Sequence, residues 1–184
     1  MKACAYIIGP TDRPTELLTE VARAVPFDTV RPYESISNAE AQSRLTPVCF
    51  FLFAEVPDPR THASVASAIR LSASRRIRFS PLIYFADAPQ VETIRCCVNM
   101  GFDDVITRPF TAERVRERLG RQLDTPLVYY EAAGYFGPDR RGRMVEDISN
   151  HPARGTGGRH RRLEIVRTLL RGVSVLRDDT HMAA

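Results

Sequence analysis

The sequence is poor in lysine, cysteine and tryptophan: Lys2 is the only lysine, there are 4 cysteines, and there is no tryptophan. Arginine therefore carries almost all of the positive charge. Lys and Arg number 26 against 22 for Asp and Glu, which gives a net charge of +4. An excess of this size is too small to indicate a nucleic-acid-binding protein, so we do not expect a nucleic-acid partner.

The cysteines lie inside apolar runs, and two of them, Cys96 and Cys97, are adjacent. This arrangement excludes a disulfide framework and a zinc knuckle, so we expect reduced thiols. Long hydrophobic runs are also missing. The first apolar run, 3–8, is too short for the core of a secretory signal, and no stretch reaches the length that crosses a bilayer. We therefore expect a cytoplasmic protein without a membrane span.

The remaining composition is that of a folded globule. Hydrophobic residues make up 43% and charged residues 26% of the 184 residues, which is enough apolar surface for a core. Residues 1–124 carry sixteen basic and fifteen acidic side chains, whereas residues 125–184 carry ten and seven. The sequence thus predicts a domain at 1–124 and an Arg- and Gly-rich tail at 125–184.

Short apolar segments alternate with amphipathic segments along the first 124 residues. This alternation is typical of a parallel sheet that helices cover on both faces, because parallel strands need crossover connections. It predicts an α/β, doubly wound sheet of five parallel strands. The predicted strands are 3–8, 29–33, 48–53, 81–86 and 104–107, and the predicted helices are 14–25, 38–45, 62–73, 90–100 and 111–123.

The tail is expected to be flexible over 134–159, where Gly, Pro and Arg dominate. An amphipathic helix is predicted at about 160–176, with Leu163, Val166, Leu169, Leu170 and Val173 on one face. An isolated helix of this length is marginal in water, so its apolar face needs a cover. Its own domain, a second copy of the chain, a partner groove and an anionic membrane surface are the alternatives.

The segment YFGPDRRGR places arginines beside aromatic rings. The residues concerned are Tyr135, Phe136, Arg140, Arg141 and Arg143. Guanidinium groups bind phosphate in a bidentate manner and stack on purine rings, so the cluster would suit a cyclic dinucleotide such as cyclic di-GMP. The alternative is an Arg-rich linker that docks on an acidic surface of its own domain.

The segment GFDDVITRPF, at 101–110, resembles the end of a response-regulator receiver domain of the CheY-like family. That family carries a Gly-x-Asp-Asp segment, a short strand and a Lys-Pro-Phe turn. Upstream, VCFFLFAEVP resembles the third receiver strand with its loop proline, Pro57, and PLIYFAD resembles the fourth. The resemblance covers about 1–124. It implies a flavodoxin-like fold, a site at the carboxyl ends of the strands, and a bacterial two-component (phosphorelay) context.

The resemblance also implies where phosphotransfer chemistry would lie. The acceptor Asp corresponds to Phe53, the Mg²⁺-binding carboxylates to Gly9 and Pro10, the hydroxyl to Ala86 and the lysine to Arg108. The acceptor must be a nucleophilic carboxylate, and Mg²⁺ needs oxygen ligands. We therefore predict a pseudo-receiver with no catalytic residue, cofactor or metal.

Two further interpretations concern function. A displaced acid, Glu55 or Asp12, is the alternative phosphoacceptor. In the family, the surface formed by the fourth helix, fifth strand and fifth helix docks partners, and here it would include Val105, Arg114 and Arg118. We expect a non-enzymatic signalling protein that acts through a protein partner, with a homodimer as a further form; the alternative is a cyclic di-GMP effector.

Overall fold

Two sheets make up the computed structural model, which describes residues 1–139 and 159–181. The first sheet is parallel and has the order β2-β1-β3-β4-β5; the second is antiparallel and has the order β7-β6-β8-β9. The strands are β1 Ala3–Ile8, β2 Thr29–Pro32, β3 Val48–Phe53, β4 Leu82–Ala86, β5 Asp104–Thr107, β6 Leu127–Ala132, β7 Tyr135–Pro138, β8 His160–Thr168 and β9 Gly172–His181.

The helices connect the parallel strands. They are α1 Arg13–Ala24, α2 Ile36–Ser43, α3 Ala63–Arg70, α4 Arg75–Arg78, α5 Val91–Asn99 and α6 Ala112–Gly120, with a 3₁₀ turn at Pro59–His62 before α3. The parallel sheet with the order 2-1-3-4-5 is the flavodoxin-like arrangement, so the predicted fold class is confirmed. A separate antiparallel sheet forms the C-terminal extension.

The parallel sheet is buried on both faces. Along β3, Phe50 and Leu52 face the side covered by α1 and α6, whereas Phe51 and Phe53 face the side covered by α2, α3 and α5. Every residue of β1, β3 and β4 is buried. Continuous burial explains why these strands are visible in the sequence as unbroken apolar runs.

The basic segment 75–78 forms the short helix α4. Its Ile77 side chain is fully buried against the α2, α3 and α5 face of the sheet. One buried residue among three arginines gives no periodic signal, so the helix could not be recognised from the sequence.

The prediction for the tail was wrong where the structure describes it. Residues 160–176 do not form a helix; they belong to the hairpin of β8 and β9. The part 135–138, predicted to be flexible, is strand β7, which pairs with β6. Residues 140–158 lie outside the described residues.

The side chains of β8 alternate, as a half-buried strand requires. Leu163, Ile165 and Arg167 point inward and are buried, and the residues between them are partly exposed. The alternation was hidden because its third inward position is an arginine. The hairpin turn ends at Gly172, whose φ of 78° favours glycine.

The inner face of the second sheet packs on the segments that precede β4 and β5. Phe79 contacts the rings of Tyr129 and Phe136, with ring centroids 5.3 and 5.2 Å away. Gly101 and Gly137 are also in close approach, because a Cβ on Gly137 would lie 2.7 Å from the Cα of Gly101. The second sheet thus lies at the amino ends of β4 and β5, away from the predicted phosphotransfer edge.

Candidate functional site

The carboxyl ends of β1, β3 and β4 meet at the edge where a receiver would hold its phosphoryl group. Gly9 and Pro10 follow β1, Phe53 ends β3 and Ala86 ends β4. Phe53 and Ala86 are both 0% exposed. The structure therefore brings the predicted positions to one edge of the sheet. None of these four side chains offers a nucleophile or an oxygen ligand for a metal.

Aromatic rings fill the position of the missing acceptor. The ring of Phe53 lies 4.7 Å from that of Phe102 and 5.2 Å from that of His62, both in edge-to-face geometry. The Nε2 atom of His62 lies 3.0 Å from the carbonyl oxygen of Ala54. Burial lowers the pKa of His62, although the Ala54 carbonyl opposes the shift. The buried ring is therefore neutral near pH 7.

Tyr84 continues this aromatic cluster at the end of β4. Its ring centroid lies 6.0 Å from the centroids of both His62 and Phe102. Its hydroxyl accepts a hydrogen bond of 3.2 Å from the Val56 backbone. Burial raises the pKa of Tyr84 to about 12, against the smaller effect of that hydrogen bond. The phenol remains protonated and serves to hold the loop after β3.

The two acids considered as displaced acceptors already have structural partners. Asp12 accepts a hydrogen bond of 3.1 Å from the Thr15 backbone and caps α1. Glu55 accepts one of 2.9 Å from the backbone of Asp87. Each carboxylate orders a loop at this edge.

Arg108 retains the positive charge expected at this edge. It forms an ion pair of 3.2 Å with Asp87, and both side chains are about half exposed. An exposed pair of this kind contributes little to stability. The pair leaves the guanidinium partly neutralised, and its Cζ atom lies 5.9 Å from the centroid of the Phe110 ring.

The structure describes only the aromatic residues of the candidate nucleotide site. Arg140, Arg141 and Arg143 lie outside the described residues. Tyr135 and Phe136 belong to β7, and the Tyr135 hydroxyl donates to the Pro138 carbonyl at 2.7 Å.

The Phe136 ring is not free to stack on a base. It is 6% exposed, it packs in the core of the second sheet, and the Arg78 guanidinium lies 3.9 Å from its centroid. The expectation of an available aromatic platform at Phe136 was therefore wrong, because the ring is needed to bury the sheet's inner face.

The predicted docking surface contains a groove of about 450 Å³ between α5, β5 and α6. Val105 and Arg118 line it, whereas Arg114 does not and instead donates its backbone N–H to the cap residue Thr111. Arg118 donates two hydrogen bonds to the Asp104 carboxylate, and the one from Nε is 2.8 Å long. The apolar lining residues are Ile94, Val98, Phe102, Val105 and Leu127.

A buried ionic network, for which the sequence gives no signal, joins the two sheets. At its centre Asp103 is 2% exposed and directly precedes β5. One carboxylate oxygen accepts from Arg70 at 2.6 Å and from the Leu82 backbone at 2.8 Å. The other accepts from Arg167 at 2.9 Å and from the Tyr129 hydroxyl.

Both guanidinium groups of the network are fully hydrogen-bonded. Besides Asp103, Arg70 donates to the carbonyls of Gly101, Arg78 and Ser80 at 2.7 to 3.0 Å. A guanidinium has five N–H donors, and all five of Arg70 have an acceptor.

Arg167 is 0% exposed and reaches from β8 to the segments that precede β4 and β5 and follow α6. Its Nε donates to the Phe79 carbonyl at 2.6 Å, and Nη1 donates to the backbone and side-chain oxygens of Gln122 at 3.3 and 3.2 Å. Nη2 donates to Asp103 and to the Tyr129 hydroxyl. With every donor used, the network is structural and has no free group for a ligand.

The hydrogen bonds and ion pairs of this network determine the protonation states of Asp103 and Tyr129. Burial by itself raises the pKa of Asp103, but Arg167, Arg70, the Tyr129 hydroxyl and the Leu82 backbone outweigh it and hold the pKa at about 2. Burial likewise raises the pKa of Tyr129. At neutral pH the network therefore holds two positive charges, one negative charge and a neutral phenol. The sequence offers no spacing signal for it, because its members are far apart in the chain.

Within residues 1–139 and 159–181, no group of three or more His, Cys, Asp or Glu side chains is placed to hold a metal ion. No helix there is long and apolar enough to cross a membrane.

Comparisons with known proteins identify no family. No family model matches the sequence, and no curated protein matches it. A solved structure of a CheY-like protein, TadZ from Pseudomonas aeruginosa PAO1, is 16% identical, with a TM-score of 0.45, and the match covers 67% of this chain and 96% of that one. A likeness this distant does not bear on function, and the flavodoxin-like fold rests on the strand order.

Proposed function

We propose that this protein is a signalling pseudo-receiver that binds a protein partner and does not undergo phosphotransfer. The observation that carries the proposal is Phe53: the end of β3, where a receiver needs its acceptor, is a fully buried aromatic ring packed against Phe102 and His62. A phosphoryl group has neither a nucleophile nor room at that position.

The groove between α5, β5 and α6 is the proposed partner site. Its lining combines apolar side chains with Arg118, which is paired with Asp104, and with Arg121, so it suits a partner segment that combines apolar and acidic side chains. Arg121 pairs with Glu117 at 2.6 Å with both side chains about two-thirds exposed, so this ion pair can exchange for a partner carboxylate at little cost.

Two substitutions on α5 test this site. Ile94 lines the groove and is half-buried, whereas Val91 lies on the same helix, is 71% exposed and does not line it. Ile94→Glu should abolish partner capture from a lysate of the source cells, and Val91→Glu should leave it intact. Capture should be equal with and without acetyl phosphate pretreatment. Capture that survives Ile94→Glu, or that requires acetyl phosphate, contradicts the proposal.

Calorimetry with cyclic di-GMP separates this function from a second-messenger effector. The partner-binding proposal predicts no heat of binding. Binding that disappears in an Arg140→Ala, Arg141→Ala double variant would instead identify the tail arginines as a nucleotide site and overturn the partner-only account.

A further inference from the structure

One end of the molecule exposes leucine side chains beside arginines. Leu45, Leu170 and Leu71 are 81%, 79% and 72% exposed, the three highest values among the large hydrophobic side chains of the described residues. Leu45 follows the exposed Arg44, and Leu170 precedes the exposed Arg171. We call these five residues, together with the exposed Arg75, the Leu/Arg patch.

Helix α4 contacts two of the turns that carry the patch. Arg76 of α4 donates to the Ser43 carbonyl at 2.6 Å, which joins α4 to the turn that carries Leu45. A Cβ on Gly172 would lie 2.8 Å from the Pro47 carbonyl oxygen and 3.4 Å from Nε of Arg76, so the β8–β9 turn that carries Leu170 abuts both.

The turn that carries Leu71 is tied to α2. Ser72 donates to the Glu40 carboxylate at 2.6 Å, and its hydroxyl accepts from the Ser74 backbone. The patch therefore lies beside the amino end of β3, at the opposite end of that strand from Phe53.

The patch carries a net positive charge in the described parts of the chain. Arg44, Arg75 and Arg171 form no ion pair with a described carboxylate. The hydrogen bond from Arg161 at 2.6 Å lowers the pKa of Asp178, and the charge of Arg75 adds a smaller effect. Glu40 keeps its negative charge, because its partner Ser72 is a neutral hydroxyl. Three arginines against this one carboxylate leave a basic surface with exposed leucines, and such patches mark interaction sites.

We propose that the Leu/Arg patch docks the protein on an anionic membrane surface. Each leucine projects from its own turn and is mostly exposed, so its side chain can insert into the acyl boundary of a bilayer without any change in the fold. The neighbouring guanidinium groups would then lie at the level of lipid phosphates, which they bind in bidentate fashion. The inference is independent of the partner groove, which α5, β5 and α6 form elsewhere on the molecule.

Vesicle co-sedimentation of the full-length protein tests the proposal. We expect binding to vesicles of phosphatidylglycerol mixed with phosphatidylcholine, weak binding to phosphatidylcholine alone, and release by salt. A Leu45→Ser, Leu170→Ser double variant should lose at least about tenfold in partitioning, since each leucine loses its apolar burial. An Arg44→Glu, Arg171→Glu double variant should show no detectable binding.

Matched controls lie outside the patch. Leu176→Ser changes an exposed leucine in β9, and Arg116→Glu changes an exposed arginine on α6; both should bind vesicles as the wild type does. All the substituted side chains are exposed, so circular dichroism should show a native fold in each variant. Absence of binding to anionic vesicles, equal binding to neutral ones, or full binding by either double variant overturns the proposal.

Discussion

At the scale of single residues, the interior of this protein depends on charge as much as on apolar packing. Arg167 is 0% exposed, like Phe53, and Asp103 is 2% exposed, like Phe102. Such groups are tolerated only when every hydrogen-bonding site is satisfied, because an unpaired buried charge is costly. The Asp103 network meets that condition with two complete guanidinium groups and a phenol.

Asp103→Asn should strongly destabilise the fold. The substitution leaves two buried guanidinium groups without their counter-charge, which typically costs about 3–5 kcal/mol. Urea unfolding measures the loss. Asp104→Asn is the matched control, because its ion pair with Arg118 is partly exposed, and it should cost about 1 kcal/mol. Equal costs for the two variants would show that the network does not hold the sheets together.

His62 should make stability depend on pH. Its pKa is lowered by burial, so the unfolded chain takes up a proton at a higher pH than the folded protein does. Stability from this residue is therefore present above the unfolded value of about 6.5 and is lost as the pH falls below it. His62→Gln, which keeps a donor for the Ala54 carbonyl, should flatten the pH profile of urea unfolding below about pH 6.5. An unchanged slope would exclude His62 as its source.

At the scale of elements, strands that are continuous apolar runs can be predicted from the sequence, whereas a strand whose burial depends on residues distant in the chain cannot. The strands β1, β3 and β4 are buried on both faces and are therefore apolar throughout, and all were located within a residue or so. The strand β8 was missed because its inward Arg167 is polar, and its burial is possible only beside Asp103 and Tyr129. The receiver-like motif was enough to locate the edge positions Phe53 and Ala86 in the sequence. The aromatic cluster around Phe53 could not be predicted, because His62 and Phe102 come into contact with it only through tertiary packing.

Gly137→Ala should detach β7 from the first sheet. The added Cβ would meet the Gly101 backbone at 2.7 Å and the Tyr135 hydroxyl at 2.6 Å, and the backbone cannot yield as a flexible side chain can. We expect a loss of about 1–3 kcal/mol, as for other overpacked sites. Gly120→Ala, at the end of α6 in open space, should be neutral or stabilising by up to about 1 kcal/mol. Hydrogen exchange at β7 amides distinguishes the two variants, and protection retained in Gly137→Ala would contradict the close-approach argument.

At the scale of the whole molecule, the second sheet is bound to the first through a shared interior. Phe79 of the first unit packs on Tyr129 and Phe136 of the second, and Arg167 bonds to carbonyls of both Phe79 and Gln122. The C-terminal extension is thus a part of the folded structure, which an Arg- and Gly-rich composition did not indicate.

A chain that ends at Asp124 should therefore not keep the native fold. It would lose Tyr129 and Arg167, leave Asp103 with one guanidinium partner, and expose Phe79 to water. We expect aggregation or loss of near-ultraviolet circular dichroism, compared with the full-length chain. A soluble fragment with native spectra and cooperative unfolding would show that the first sheet is independent of the second.

The proposed function requires that this flavodoxin-like scaffold cannot accept a phosphoryl group. The most direct measurement is intact-mass spectrometry after incubation with acetyl phosphate and Mg²⁺, beside a receiver that is phosphorylated under the same conditions. The buried Phe53 and the occupied Asp12 and Glu55 predict that the mass does not change. A phosphorylated species that disappears in Glu55→Gln or Asp12→Asn would contradict the claim and identify a displaced acceptor.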